Sequence, residues 1–208
     1  MRLFKLTSFI LGLAVSTLAN AVVIGFDDIN GDVPDGYQGL QWDNMYVLAG
    51  NDNAGTGYQS GMVSSPNVAY NGSADPAAAS DGQFSLCSAW FTAAWNTGLE
   101  VTVEGWLDGS QEYTRTVVVD NTGATQFFYD FIGIDELRFT SAGGVDAGDD
   151  GGSGEHFALD DMDIEIGMDC EGNALEPMTP VPTMSQWSLI TLAMLLALGG
   201  ILMVRRRA

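Results

Sequence analysis

Hydrophobic and polar residues alternate in two neighbouring stretches, "LEVTVEGW" (Leu99 to Trp106) and "EYTRTVVVD" (Glu112 to Asp120). In the first, Leu99, Val101 and Val103 share one face and Glu100, Thr102 and Glu104 the other. That period of two marks a half-buried strand. The intervening "LDGSQ" contains Asp108-Gly109, a strong hairpin signal. "VVIGFDD", "LQWDNMYVL", "FSLCSAWFTA", "TQFFYDF", "ELRFTS" and "HFALDDMDIEI" read as further strands. Gly, Asn, Asp and Ser cluster between them, and no amphipathic helical stretch competes. The predicted fold class is all-β, an antiparallel β-sandwich or jelly roll.

One strand breaks its rhythm. In "HFALDDMDIEI", Phe157 and Leu159 fall on odd positions and Met162, Ile164 and Ile166 on even ones. The parity slips at Asp160-Asp161, as a β-bulge requires. Two readings stay open. A bulge carrying two carboxylates can aim both at one hard cation, or a strand buried on both faces can end in two solvated aspartates.

The alternation gives way at both ends. Arg2 and Lys5 precede the apolar "LTSFILGLAVSTLA", and Ala19-Asn20-Ala21 is a small-x-small site. Residues 1–21 therefore read as a signal peptide cleaved after Ala21. Near the other end, the 17 residues from Ser188 to Val204 carry no charge, and Arg205, Arg206 and Arg207 follow at once. As a helix this run is roughly 26 Å long, the thickness of a bilayer core, with its basic end on the cytoplasmic side. The expected organisation is a signal peptide (1–21), a β-sandwich domain (22–168), a linker (169–180) and a C-terminal segment (181–208) with a transmembrane helix at 188–204. The chain is thus expected to be exported and held for a time in the inner membrane.

Charge and cysteines sharpen the compartment. All 27 acidic residues lie between Asp27 and Glu176, and only Arg115 and Arg138 balance them there. Nucleic acid and anionic lipid are poor partners for such a surface. Aromatic and β-branched residues are too plentiful for disorder. Cys87 and Cys170 are the two cysteines, and an even count in an oxidising compartment favours one disulfide.

Signals for catalysis are thin. His156 is the single histidine, so His-dependent triads and multi-His metal sites lack raw material. It reads as a loop or edge residue. A carboxylate-pair glycosidase has abundant acids to draw on, but abundance makes any chosen pair uninformative. "GGVDAGDDGGSGEH" looks like a calcium-binding Gly/Asp repeat but occurs once, and a flexible solvated loop is the better reading. The aromatics are the remaining clue. Trp90 and Trp106 sit in strands and read as core. Trp95, in the "WNTG" turn, and Tyr58, among glycines, read as surface residues suited to sugar binding.

Two family resemblances follow from quoted motifs. "VPTMSQW", an apolar run and "RRR" resemble the IPTL-type C-terminal sorting signal, a relative of the PEP-CTERM tails of Gram-negative bacteria. Pro182, Thr183 and Trp187 fall in its signature positions, with Val181, Met184 and Ser188 departing mildly. The resemblance implies recognition by an exosortase, removal of the tail, and delivery to the cell surface or extracellular matrix. "GFDDI", "GYQSG", "NVAYNG", "AWFTAAWNTGLEVTVEGW", "FIGIDELRFTSAGG" and "HFALDDMDI" resemble a domain recurrent in such sorted proteins. The last strand is also similar to the ending of jelly-roll carbohydrate-binding modules. In those folds the first and last strands lie close and their carboxylates hold a structural Ca²⁺. The matching positions are Asp27 or Asp28 and Asp160 or Asp161. The combined expectation is a surface-sorted β-sandwich with a binding or structural role, glycan-binding toward an extracellular polysaccharide; the alternative is a small exported carboxylate-dependent hydrolase.

Overall fold

The computed structural model describes residues 20–148 and 152–175. Strands follow one another in chain order as β1 (Asn20–Ile24), β2 (Gly31–Asp32), β3 (Gln41–Asp43), β4 (Met45–Ala49), β5 (Asn67–Asn71) and β6 (Ala77–Ala93). After them come β7 (Asn96–Thr97), β8 (Leu99–Leu107), β9 (Ser110–Val119), β10 (Thr125–Ala142), β11 (Val145–Asp146) and β12 (Phe157–Ile166). Every pairing is antiparallel.

The alternation within "LEVTVEGW" and "EYTRTVVVD" becomes the β8–β9 hairpin. Asp108 and Gly109 turn it with φ of 50° and 76°, the pair of positive angles that a two-residue turn needs to match strand twist. "TQFFYDF" and "ELRFTS" prove to be one strand, β10, and "FSLCSAWFTA" is the second half of the longer β6. These long strands fold the sheet over on itself. Their mutual register shifts between Phe128 and Phe131, between Phe131 and Ile134, and between Ile134 and Glu136. Such bulges bend a strand and increase its twist.

Two leaves result. The front leaf runs β3, first half of β6, second half of β10, β8, β9. The back leaf contains β2, β4, β5, β12, the second half of β6 and the first half of β10, with β1 along β12. Phe139 of the front leaf packs against Phe91 and Phe157 of the back leaf, with ring centroids 6.4 and 6.1 Å apart. All three rings are fully buried, each stabilising the fold by about 2–3 kcal/mol of apolar burial. The architecture is an antiparallel β-sandwich of jelly-roll type.

Residues 167–175 continue as a small appendage on the back leaf. Cys87 and Cys170 form the disulfide expected of them, with Cα atoms 5.5 Å apart. Ser85 Oγ donates to Met168 O at 2.6 Å, and Leu175 N donates to Gly167 O at 3.0 Å.

The transmembrane helix expected at 188–204 is not supported. Among the described residues no helix is long and apolar enough to cross a membrane, and 188–204 lie outside them. The one α-helix among the described residues, Gly57–Ser60, is a single turn. Of the signal peptide expected at 1–21, residues 1–19 also lie outside the described residues. β1 begins at Asn20, and Val22, Val23 and Ile24 pair with Ile164, Asp163 and Met162.

Candidate functional site

Two places on the domain gather polar chemistry. The first is where β1 and β12 meet. The parity slip at Asp160-Asp161 is a bulge: the β12–β6 register jumps between Asp160 and Asp163, and Asp161 adopts φ of 41°. The slip sends the two carboxylates in different directions. Asp160 is fully buried. Its Oδ2 accepts from Val63 N at 2.7 Å and Ser64 N at 2.9 Å. Its Oδ1 accepts from Ser64 Oγ at 3.2 Å and Asp161 N at 2.8 Å. Burial pushes this carboxyl up to about 7, against the pull of those backbone donors. Asp160 therefore anchors the 62–66 loop and leaves the expected metal set.

Asp161 turns outward into a cavity of about 290 Å³ that Asp27, Asp28, Tyr37 and Ser64 also line. Its floor is Gly25. A Cβ there would lie 2.7 Å from Ser64 Oγ, 3.2 Å from Asp161 Oδ1 and 3.5 Å from Asp27 Oδ2, so three oxygens crowd a spot that only glycine leaves open. Asp27 Oδ1 accepts from Asn67 N at 3.0 Å, which leaves its Oδ2 toward the cavity. Asp28 Oδ1 accepts from the Tyr37 hydroxyl at 2.7 Å. Burial and the Asp28 carboxylate raise the Tyr37 phenol. The structure thus brings Asp27, Asp28 and Asp161 around one cavity. Among the described residues, however, no group of three or more His, Cys, Asp or Glu side chains is arranged to hold a metal ion. Ser64 had no sequence signal; the Asp160 bonds bring it there.

The second place is the outer face of the front leaf. Antiparallel register lines up Gln41, Ser80, Glu136, Trp106 and Gln111 in one cross-strand row, and Asp43, Ala78, Arg138, Glu104 and Thr114 in the next. Small Ala78 lies in a groove of about 230 Å³ walled by Asp43, Glu104, Glu136, Arg138 and Thr140. Arg138 donates from Nε and Nη2 to the two Glu136 oxygens at 2.6 and 2.9 Å. Its guanidinium lies 3.8 Å over the Trp106 ring, a contact of about 0.5–1 kcal/mol at an exposed site. Trp106 Nε1 donates to Glu104 Oε2 at 3.1 Å. Each long side chain is therefore held by a neighbour, and the cluster is ordered before any ligand arrives.

The aromatic expectations reverse. Tyr58 and Trp95 are only 4% and 9% exposed, and they pack edge to face at 5.5 Å. Gly152 lies so close that a Cβ there would come within 2.4 Å of the Trp95 indole. They are the centre of a second small core and not a display surface. Trp106, expected in the main core, is half-buried on the outer face, as is Trp90 at the sheet's other side of the β6 bend. His156 sits at an edge as expected, its Nδ1–H donating to Asn71 O at 2.8 Å.

Residues 179–207 match the IPTL-CTERM motif. The match includes Pro182, Thr183, Trp187, Arg205, Arg206 and Arg207, all outside the described residues. It marks the chain as an exported surface or extracellular protein related to exosortase-type sorting systems in general. No curated protein matches the chain. Among solved structures, TmCBM61 in complex with beta-1,4-galactotriose is similar at 13% identity and a TM-score of 0.36. That alignment covers 67% of this chain and 92% of the other. At this score the similarity says nothing about a ligand.

Proposed function

We propose that the domain is a non-catalytic glycan-binding module displayed outside the cell, with the front-leaf groove as its binding surface. The observation that carries this reading is the Glu104–Trp106–Arg138–Glu136 cluster, ordered by its own contacts beside a groove floored by alanine. Pyranose rings present an apolar C–H face and a rim of hydroxyls. A planar guanidinium stacked on a half-buried indole, with fixed carboxylates at its side, offers a flat surface to the one and hydrogen-bond partners to the other. A hydrolase would need one carboxyl free to act as an acid and a second as base or nucleophile. Here Glu136 gives both oxygens to Arg138 and Glu104 accepts from the indole, which favours binding over cleavage. The test is a glycan array with the full chain, followed by product analysis on every glycan retained. Retention without cleavage is expected, and reducing ends released over time would favour the hydrolase instead.

A cation at the β1–β12 junction is part of the same reading. Asp27 and Asp161, with Ser64, would hold a hard ion such as Ca²⁺ by oxygen ligation, tying the first strand to the last. The support is the convergence of their oxygens at Gly25 and the lack of a basic side chain lining that cavity. Calcium should raise the melting temperature by linkage. Asp27→Asn together with Asp161→Asn should remove the rise, asparagine being tolerated at the positive φ of position 161. A wild-type melting curve indifferent to calcium and chelator would exclude the site.

A further inference from the structure

We infer that the front-leaf groove selects glycans bearing free primary amines over neutral or acidic ones, a specificity that rests on the groove being a glycan site. The inference comes from charge balance within the groove. Its walls carry Asp43, Glu104, Glu136 and the single base Arg138. Arg138 is neutralised by Glu136 through two hydrogen bonds, so that pair offers a ligand almost no net charge. Glu104 has as its hydrogen-bond donor a neutral indole N–H. The Arg138–Glu136 pair is the one salt bridge among the described residues, and no basic side chain there neutralises Asp43. The groove's three carboxylates thus outnumber its one guanidinium, which also attracts Glu104, and the excess negative charge lies with Asp43 on β3 and Glu104 on β8 in one cross-strand row.

Each class of glycan meets this groove differently. Uronates and sulfated sugars bring like charge to Asp43 and Glu104 and are repelled. A neutral sugar offers hydroxyl donors but leaves the groove's excess negative charge in place. An ammonium group supplies donors and charge together, and charge-assisted hydrogen bonds are roughly twice as strong as neutral ones. The two carboxylates stand three strand spacings apart, about 14 Å at the usual separation, so one amine cannot serve both. A chain of amino sugars can. The Arg138–Trp106 stack at the groove's side supplies the flat surface that distinguishes a pyranose from a basic peptide. The acidic excess around the domain steers any cationic chain toward it without choosing the groove.

The experiment measures affinities of the full chain for four hexamers at fixed ionic strength. They are β-1,4-linked glucosamine, its fully N-acetylated form, the β-1,4-glucose hexamer and hexalysine. The glucosamine hexamer should bind at least about tenfold tighter than the other three, the affinity falling with salt. Asp43→Asn with Glu104→Gln should remove that preference. Asp52→Asn with Asp130→Asn, an equal charge change at exposed positions off the groove, should retain it. Equal binding of the glucose hexamer would overturn the amine preference and leave the glycan reading standing. Hexalysine binding as tightly, or an equal loss in the Asp52/Asp130 variant, would reduce the effect to general attraction of polycations and overturn it. No binding of any sugar would overturn both.

Discussion

The two leaves bury their inner faces in one shared core but finish their outer faces in opposite ways. Over the back leaf, the chain from Gly50 to Met62 closes down so that Tyr58, Val68, Ala94, Trp95 and Ala158 form a second small core. Over the front leaf nothing among the described residues closes down; Arg138, Glu104 and Glu136 line a groove, and Trp106 stays partly accessible beside it. A sheet surface covered by its own loops is invested in stability. One left open, with side chains braced against each other, is available for recognition.

The sharpest way to break this contrast is to truncate a tryptophan on each side. Trp95→Ala should cost about 3–5 kcal/mol, the usual range for removing a large buried aromatic. Trp106→Ala should cost less, about 1–2 kcal/mol, because the half-buried indole forfeits the Arg138 contact, the Glu104 hydrogen bond and only part of a full aromatic's burial. Urea denaturation of the two variants reads the difference, and equal losses would erase the distinction between covered and open faces.

The back leaf should also depend on its appendage. Cys87→Ala with Cys170→Ala opens a loop closed across a sequence separation of 83 residues. The chain-entropy estimate puts the loss at about 4 kcal/mol, measured by the shift in urea midpoint. Binding at the front-leaf groove should survive wherever the variant remains folded.

A smaller effect concerns pH. Asp160 holds its proton up to about 7 in the fold because of burial, whereas an unfolded aspartate loses it near 4. Burial also raises Asp163 and Glu165, with neighbouring carboxylates adding to the latter. The folded state therefore binds more protons than the unfolded state between these limits. Stability from these groups is fully present below about pH 4 and is lost as pH rises toward 7. Urea unfolding in chelator should show that decline, with Asp160→Asn flattening it. A wild-type curve that climbs from pH 4 to 7 would contradict the burial argument.

Much of this contrast was legible in the sequence, though not all of it was read correctly. Period two gave the strands, Asp108-Gly109 gave the hairpin, and the parity slip gave the bulge, because each is set by residues a few positions apart. The parity of β8 even held the clue to Trp106, which shares its even positions with Thr102 and Glu104 and so belongs on their outer face. Reading it as core because it sits in a strand overrode that signal. Trp95 and Tyr58 went wrong for the opposite reason. Turn residues are ordinarily exposed, but these two are covered by a helical turn and by Gly152, contacts between segments far apart in sequence. The same holds at the β1–β12 junction. Nothing local separates Asp160, enclosed by the 62–66 loop, from Asp161, which faces the cavity. The C-terminal motif was legible because it is read from consecutive residues.

The claim that the open front leaf is the binding surface is tested most directly by glycan binding of the full-length Trp106→Ala variant at matched folding. Isothermal titration with the glycan retained most strongly by wild type should show affinity reduced by about tenfold or more, with the melting temperature lowered far less than in Trp95→Ala. Unaltered affinity in a folded Trp106→Ala protein would place recognition elsewhere and contradict the account.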